Sequence, residues 1–171
     1  AADIATSADG ATSVFVADLD SDGDLDILSS SYNDDTIAWY ENDGAANPSF
    51  SAANIATSAD GATSVFVADL DSDGDLDIIS SSYLDDAIAW YENDGAADPS
   101  FGAADIATSA DGAYSVFVAD LDSDGDLDIL SASESDNTIA WYENDGAANP
   151  SFTAADITTG GANAPYASDV R

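Results

Sequence analysis

A 51-residue repeat runs through this chain and limits the folds that are open to it. Residues 1–51 and 52–102 differ at six positions, and a third copy occupies residues 103–153. The remnant at 154–171 begins like the other copies and then diverges. A period of about 40–50 residues is typical of propeller blades and solenoid coils, in which each repeat is one supersecondary unit packed on its neighbours.

Each repeat contains the same acidic loop, Asp-Leu-Asp-Ser-Asp-Gly-Asp-Leu-Asp. Carboxylates at positions 1, 3, 5 and 9 can converge on one ion, and Ca²⁺ takes about six to eight oxygen ligands. The glycine at position 6 permits the sharp turn, and the residue at position 7 is expected to offer its backbone carbonyl. The predicted ligands of three Ca²⁺ ions, one per repeat, are Asp18, Asp20, Asp22, Asp24, Asp26, Asp69, Asp71, Asp73, Asp75, Asp77, Asp120, Asp122, Asp124, Asp126 and Asp128.

The rest of each repeat has a β-strand pattern. In the first repeat, short runs at 13–17, 27–32 and 36–40 are rich in β-branched and aromatic residues, and a weaker run spans 48–57. Turn signals such as Asn42-Asp43-Gly44 separate them. The sequence predicts an all-β protein of propeller-type blades, each with four antiparallel strands, as one array of repeats at 1–51, 52–102 and 103–153 and a partial repeat at 154–171.

The flanking strands exclude an EF-hand, although its loop has similar carboxylate spacing. An EF-hand requires a helix on each side and a bidentate Glu at position 12. Here position 12 is Ser29, Ser80 or Ser131. The chain also lacks the 3.6-residue apolar periodicity of a helix.

Composition restricts the partners. The formal net charge is −34, with 35 acidic residues and one basic residue. Nucleic acid is excluded, because phosphate contacts need Lys and Arg, and an anionic membrane surface is disfavoured for the same reason. No stretch approaches the roughly 20 apolar residues of a membrane span. Millimolar calcium is found outside cells, so an extracellular, secreted or cell-surface location is expected.

The loop after a Val-Phe-Val-Ala-Asp strand, followed by Trp-Tyr-Glu-Asn-Asp-Gly, resembles FG-GAP-like repeats, also called VCBS repeats. The resemblance covers residues 1 to about 159. It implies a calcium-binding β-propeller in which Asp18, Asp20, Asp22 and Asp26 bind the ion with the backbone of Asp24, and likewise in the other repeats. The ions of this family are structural and staple the hairpin between the first two strands. The Phe-Gly and Gly-Ala-Pro signatures of the integrin version are missing, which favours the bacterial type.

Three repeats are too few to close a propeller, and open sheet edges invite pairing with other chains. We therefore expect self-association as a ring or a head-to-tail filament; the alternative is a fragment of a longer array. Residues 3–6 are expected to form an orphan fourth strand, and 164–170 align with a first strand.

The residue types of the repeats separate three classes of function: an enzyme, a recognition module and a structural protein. The repeats lack the His, Lys or Cys that would activate a nucleophile, so an enzyme is not expected. Glu41, Glu92 and Glu143 occupy equivalent blade positions, which hold them too far apart for a glycosidase pair. Trp39, Trp90 and Trp141 recur at one strand position, which favours blade-to-blade packing over sugar stacking.

The leading hypothesis is therefore a structural, self-assembling or adhesive calcium-binding protein. The alternative is a propeller that recognises a carbohydrate or protein. Near-identical repeats favour assembly, and they also fit a designed or consensus propeller without natural function. The third repeat has Tyr114 at the position of Thr12 and Glu134 at the position of Tyr32. Two interpretations are open: the two changes compensate each other in packing, or they alter a contact with the tail or with another chain.

Overall fold

The structure is a computed structural model that describes residues 3–158. This part of the chain contains twelve β-strands and no helix, and therefore no helix that could cross a membrane. The strands are β1 (Ala11–Ala17), β2 (Asp26–Ser31), β3 (Thr36–Asn42), β4 (Phe50–Ala56), β5 (Ala62–Ala68), β6 (Asp77–Ser82), β7 (Ala87–Asn93), β8 (Phe101–Ala107), β9 (Ala113–Ala119), β10 (Asp128–Ser133), β11 (Thr138–Asn144) and β12 (Phe152–Thr158).

The strands form three four-stranded antiparallel sheets, in the orders β1-β2-β3-β4, β5-β6-β7-β8 and β9-β10-β11-β12. We call these sheets blades 1, 2 and 3. Within each blade, each strand pairs with the next one in sequence, as is usual for strands joined by short connections. The predicted all-β fold of four-stranded blades is confirmed. The fourth strand of a blade spans the boundary between two sequence repeats, since β4 contains both Ser51 and Ala52.

One described segment, residues 3–6, differs from the sequence-based expectation. Residues 3–6 were expected to form a fourth strand, and they form none. A fourth strand pairs with the third strand of its own blade, as β4 does with β3, and residues 3–6 have no such partner among the described residues. The segment expected to form a first strand, 164–170, lies outside the described residues, whereas 154–158 belong to β12.

Adjacent blades pack through two apolar clusters that are built largely from equivalent positions. In the first cluster, Leu19, Ile37 and Trp39 of blade 1 contact Val65 and Val67 of blade 2. The equivalent residues of blades 2 and 3 form the second cluster. The first strands of neighbouring blades lie side by side, β1 next to β5 and β5 next to β9. This is the arrangement of blades around a propeller axis.

Tryptophan joins each blade to the next, as predicted. Trp39 is 5% exposed and meets Phe101 of blade 2 edge-on, with ring centroids 6.3 Å apart. Trp90 and Phe152 repeat this contact at the same distance. An edge-to-face aromatic pair stabilises packing by about 0.5–1.5 kcal/mol beyond the area that it buries.

One substitution of the third repeat, Glu134 in place of tyrosine, lies at a blade boundary. Tyr32 and Tyr83 form an aromatic pair between blades 1 and 2, with centroids 6.3 Å apart. Glu134 occupies the equivalent position in blade 3 and is exposed. The Tyr83 hydroxyl instead lies 3.5 Å from the Ser135 hydroxyl. The exchange therefore replaces an aromatic contact with a weak polar one.

Candidate metal centre

The acidic loops connect the first and second strands of each blade. In blade 1 the loop occupies residues 18–25, between β1 and β2. Two residues within it have left-handed backbone conformations, Ser21 with φ 59° and Gly23 with φ 98°. The second value suits glycine, because a side chain there would be strained. These turns curl the loop so that alternate side chains point inward.

Three of the five predicted ligands in each loop come together. One carboxylate oxygen from each member of a triad lies within 4.8 Å of the others. Calcium–oxygen distances are about 2.3–2.6 Å, so two ligands on opposite sides of one ion lie roughly 5 Å apart. The spacing and the all-oxygen chemistry of each triad therefore fit Ca²⁺. The triads are Asp18, Asp20 and Asp22; Asp69, Asp71 and Asp73; and Asp120, Asp122 and Asp124.

Backbone N–H groups hold the triad carboxylates in place. The Asp22 N–H donates to Oδ1 of Asp18 at 3.1 Å, and the Gly23 N–H donates to Oδ2 at 3.0 Å. The Asp24 N–H donates to Oδ1 of Asp22 at 2.8 Å. Each carboxylate oxygen has a second lone pair that can bind a metal. The loop thus positions its ligands through its own backbone.

The carboxylates are crowded electrostatically. Burial raises the pKa of Asp20, and the neighbouring charges of Asp22, Asp26 and Asp18 raise it further against a hydrogen bond from the Asp22 N–H. Burial is also the main cause of the raised pKa of Asp71, followed by the charge of Asp73. A cation in the triad would relieve this repulsion and favour the ionised forms.

The side chain of Asp24, at position 7, lies outside the triad. Its carboxylate packs against Gly44 so closely that a Cβ on that glycine would overlap it. The glycine of the Asn-Asp-Gly turn thus makes room for the metal loop. Asp24 retains its backbone carbonyl for the role predicted from the sequence. Asp75 with Gly95 and Asp126 with Gly146 are arranged in the same way.

Asp26, at position 9, is also not a member of the triad. It is 1% exposed, and its two oxygens accept hydrogen bonds from Leu19 N–H at 3.1 Å and Asn42 N–H at 2.8 Å. The carboxylate thereby ties the metal loop to the end of β3. Asp77 and Asp128 make the same two bonds in their blades.

Burial raises the pKa of Asp77, the buried aspartate of blade 2, to about 6, although the hydrogen bonds from the Asn93 and Leu70 N–H groups lower it. The indole N–H of Trp90 faces the same carboxylate but does not meet hydrogen-bond geometry. Keeping Asp77 ionised near neutral pH therefore has a cost, which a nearby cation would reduce.

Sequence reasoning did not identify the asparagines that connect one loop to the next. The Asn93 side chain donates to the carbonyl of Leu19 in the preceding metal loop at 3.0 Å, and Asn144 donates to Leu70 at 2.9 Å. Each also donates its backbone N–H to the buried aspartate of its own blade. The spacing of 16 residues from the buried aspartate to this asparagine is the sequence signal that marks them.

These bonds join into one hydrogen-bonded belt across the three blades. From Asn42 it passes through Asp26 and Leu19 to the next blade. The belt, defined by its residues in order, is Asn42, Asp26, Leu19, Asn93, Asp77, Leu70, Asn144, Asp128 and Leu121. All three metal loops are therefore connected through buried polar contacts.

The relationship to known proteins follows from the repeats. No curated protein matches the chain. The family model of the FG-GAP-like repeat matches it three times, at residues 18–80, 79–131 and 120–171. Every match contains at least one complete metal loop, and together the matches extend from the first loop to residue 171. The chain therefore belongs to the FG-GAP-like repeat family.

Proposed function

We propose that this protein is a calcium-binding structural repeat array of the extracellular space, with a role in self-assembly or adhesion. The observation that carries this proposal is the recurrence of one aspartate triad per blade, with oxygens within 4.8 Å of one another. Each Ca²⁺ ion staples the connection between the first two strands of its blade. Membership of a repeat family favours this structural role over a catalytic one.

The energetic role of the ion follows from the charge of the chain. The net charge of −34 opposes any compact state. Within each loop, backbone N–H groups arrange the carboxylates side by side, where they repel one another without a cation. Ligands that are assembled only in the folded chain convert metal-binding energy into folding energy. Folding thus depends on a calcium-rich medium, which supports an extracellular location.

The proposal is tested by counting bound ions and measuring stability together. Isothermal titration of the chelator-treated protein with CaCl₂ is expected to give three ions per chain, and EDTA is expected to lower the unfolding temperature. Asp73→Ala removes a triad member that is exposed and should reduce the count to two.

Asp98→Asn is the matched control, because it also removes an exposed carboxylate and introduces the residue that the first repeat has at Asn47. It should retain three ions. No binding at several millimolar calcium, or an equal loss in both variants, would refute the proposal.

A recurring cavity favours recognition of a ligand as the second candidate function. Blades 1 and 2 have cavities of about 370 and 360 Å³ beside Tyr40 and Tyr91, and blade 3 has one of about 110 Å³ beside Tyr142. In blade 2 the cavity is lined by Asp85, Asp105 and the Tyr91 ring, a combination of acceptors and an aromatic face that suits a carbohydrate or a peptide. Screening the calcium-loaded protein on a glycan array tests this candidate. Replacing Asp34 and Asp85 together with alanine alters both of the larger cavities from exposed positions and should abolish any signal.

A further inference from the structure

Each blade has two different apolar faces. We call the face that packs on the preceding blade the leading face, and the face that packs on the following blade the trailing face. In blade 2 the leading face contains Val65 and Val67, and the trailing face contains Leu70, Ile88 and Trp90. The chain thus forms the same leading-to-trailing interface twice.

The leading face of blade 1 is uncovered in the described structure. Val14 and Val16 are 68% and 52% exposed. The equivalent Val65 and Val67 of blade 2 are 4% and 7% exposed, and the pair in blade 3 has the same values. Ala11 is exposed as well, whereas the equivalent Ala62 is completely buried. Blade 1 therefore presents an apolar surface whose counterparts are protected from water.

The trailing face of blade 3 is the other half of this interface. Trp141 and Ile139 are half-buried, whereas Trp39 and Trp90 are 5% and 4% exposed and Ile37 is completely buried. Both halves of the interface are thus present among the described residues, one on blade 1 and the other on blade 3. Large uncovered apolar patches on folded domains mark interaction sites.

The belt identifies the polar contact that would join these two faces. Within the described residues, the Asn42 side chain donates to Leu25 of its own blade but to no other blade. Asn93 and Asn144 each make that same bond and, in addition, donate to the metal loop of the preceding blade. At the opposite end of the described residues, the last member of the belt is Leu121, the counterpart of the Leu19 and Leu70 acceptors.

A further hydrogen-bond acceptor of the trailing face is retained in blade 3 despite a substitution. The Asp35 carboxylate accepts a hydrogen bond from Gly61 N–H of the next blade at 3.0 Å, and Asp86 accepts one from Gly112. Blade 3 has Asn137 at this position, with the same left-handed backbone, φ 57°. The amide oxygen of asparagine is still an acceptor, and it brings no negative charge to the end of an acidic array.

We propose that two copies of this chain associate head to tail, with the leading face of blade 1 on the trailing face of blade 3 of a second copy. This inference rests on the proposed function and specifies its partner. The contacts expected between copies are Trp141 with Phe50, Phe117 with Phe15, and the Asn42 side chain with the Leu121 carbonyl. They repeat contacts made within the chain by Trp39 with Phe101, Phe15 with Phe66, and Asn93 with Leu19. A second copy is the favoured occupant because its blade 3 carries the Trp141 and Phe117 rings and the Leu121 carbonyl at the spacing of the equivalent groups in blades 1 and 2.

The contact is heterologous, so two or more copies form a ring if the rotation closes and a filament if it does not. Light scattering of the full chain in millimolar calcium is expected to give a mass of at least twice the 17.3 kDa of one chain. A filament supports the proposal as a ring does. A monomer that binds three calcium ions would overturn this proposal and leave the calcium-binding function intact. A monomer that binds no calcium would overturn both.

Two complementary variants test the head-to-tail geometry. Val14→Glu places a charge on the leading face, and Trp141→Glu places one on the trailing face. Each variant alone is expected to be monomeric, whereas an equimolar mixture should form 1:1 dimers through the two intact faces. Association of either variant alone would overturn the proposal, because it would require another surface.

Two controls keep this test interpretable. Leu84→Glu adds a charge to another exposed apolar side chain, which lies in blade 2 and is 54% exposed against 68% for Val14, and it should associate like the parent chain. If circular dichroism shows that Trp141→Glu does not fold, Asn42→Ala replaces it in a measurement of the dissociation constant. Asn42→Ala should weaken association about tenfold, as expected for a hydrogen bond of about 1.4 kcal/mol, and unchanged affinity would overturn the proposed contact.

Discussion

Replacing Asn93 with alanine is expected to destabilise the array more than the same change at Asn42. The Asn93 side chain is 3% exposed and makes three hydrogen bonds, to the Leu19 carbonyl, the Leu76 carbonyl and the Gly95 N–H. Asn42 makes the equivalents of the last two, to Leu25 and Gly44. The cross-blade bond to the metal loop therefore distinguishes the two positions.

The loss in free energy of unfolding depends on which buried polar groups each substitution leaves without a hydrogen-bond partner. Loss of the cross-blade bond leaves the Leu19 carbonyl buried and unsatisfied, at a cost of about 1–3 kcal/mol. The bonds within the blade contribute about 1 kcal/mol each where water is excluded. Asn42 is partly exposed, so water can replace part of that loss. Asn93→Ala should therefore lower the free energy of unfolding by about 1–3 kcal/mol more than Asn42→Ala, which for a chain of this size lowers the melting temperature by several degrees more.

Urea denaturation in saturating calcium measures this difference, at a protein concentration at which light scattering gives a monomer. That condition matters because association would give Asn42 a partner. Asn144→Ala is a replicate, since it removes the bond to Leu70, and it should cost about as much as Asn93→Ala. An equal loss of stability in Asn42→Ala and Asn93→Ala would refute the reasoning, because the belt would then contribute nothing between blades.

Two further predictions concern the turns. The Ser49 hydroxyl and backbone hydrogen bonds lower the pKa of Asp43; Ser49→Ala should raise that pKa toward its ordinary value in a carbon-detected NMR titration, and an unchanged pKa would contradict the assignment. Gly23→Ala forces a side chain into a backbone with φ 98° and should weaken calcium binding to the first loop, measured by titration calorimetry. Gly102→Ala is its control, because a Cβ there meets nothing closer than 3.9 Å and the binding should not change; equal effects of the two substitutions would argue against backbone strain.

The fold was predictable because its determinants are local. Strand patterns, Asp/Asn/Gly turns and a fixed period specify four antiparallel strands per repeat, and the structure has them. Trp39 was assigned to the blade interface because a large apolar side chain recurs in register, and that assignment is confirmed. The expected strand at 3–6 was wrong, since strand propensity alone does not supply a pairing partner.

The candidate site was predictable in part. The spacing of the loop predicted that the side chains of Asp18, Asp20 and Asp22 converge. The same spacing does not reveal which carboxylate oxygens already accept hydrogen bonds from the backbone. Asp26 resembles its neighbours in sequence, yet it is buried and clamps Leu19 and Asn42. The role of Asn93 depends on a contact 74 residues away, which no local pattern encodes. Calcium as the bound ion remains a prediction.

The position of the repeat boundary inside β4 has a consequence for how such arrays change in length. Because the sequence repeats every 51 residues, duplication or deletion of 51 consecutive residues within 1–153 keeps the period, and the strand that contains Ser51 and Ala52 stays intact. The bonds from Asn93 to Leu19 and from Asn144 to Leu70 both span 74 residues, so an inserted unit finds the same neighbours on both sides. A single unequal recombination event can therefore add or remove one whole blade without creating a new interface, and the genetic unit of growth need not coincide with the structural one.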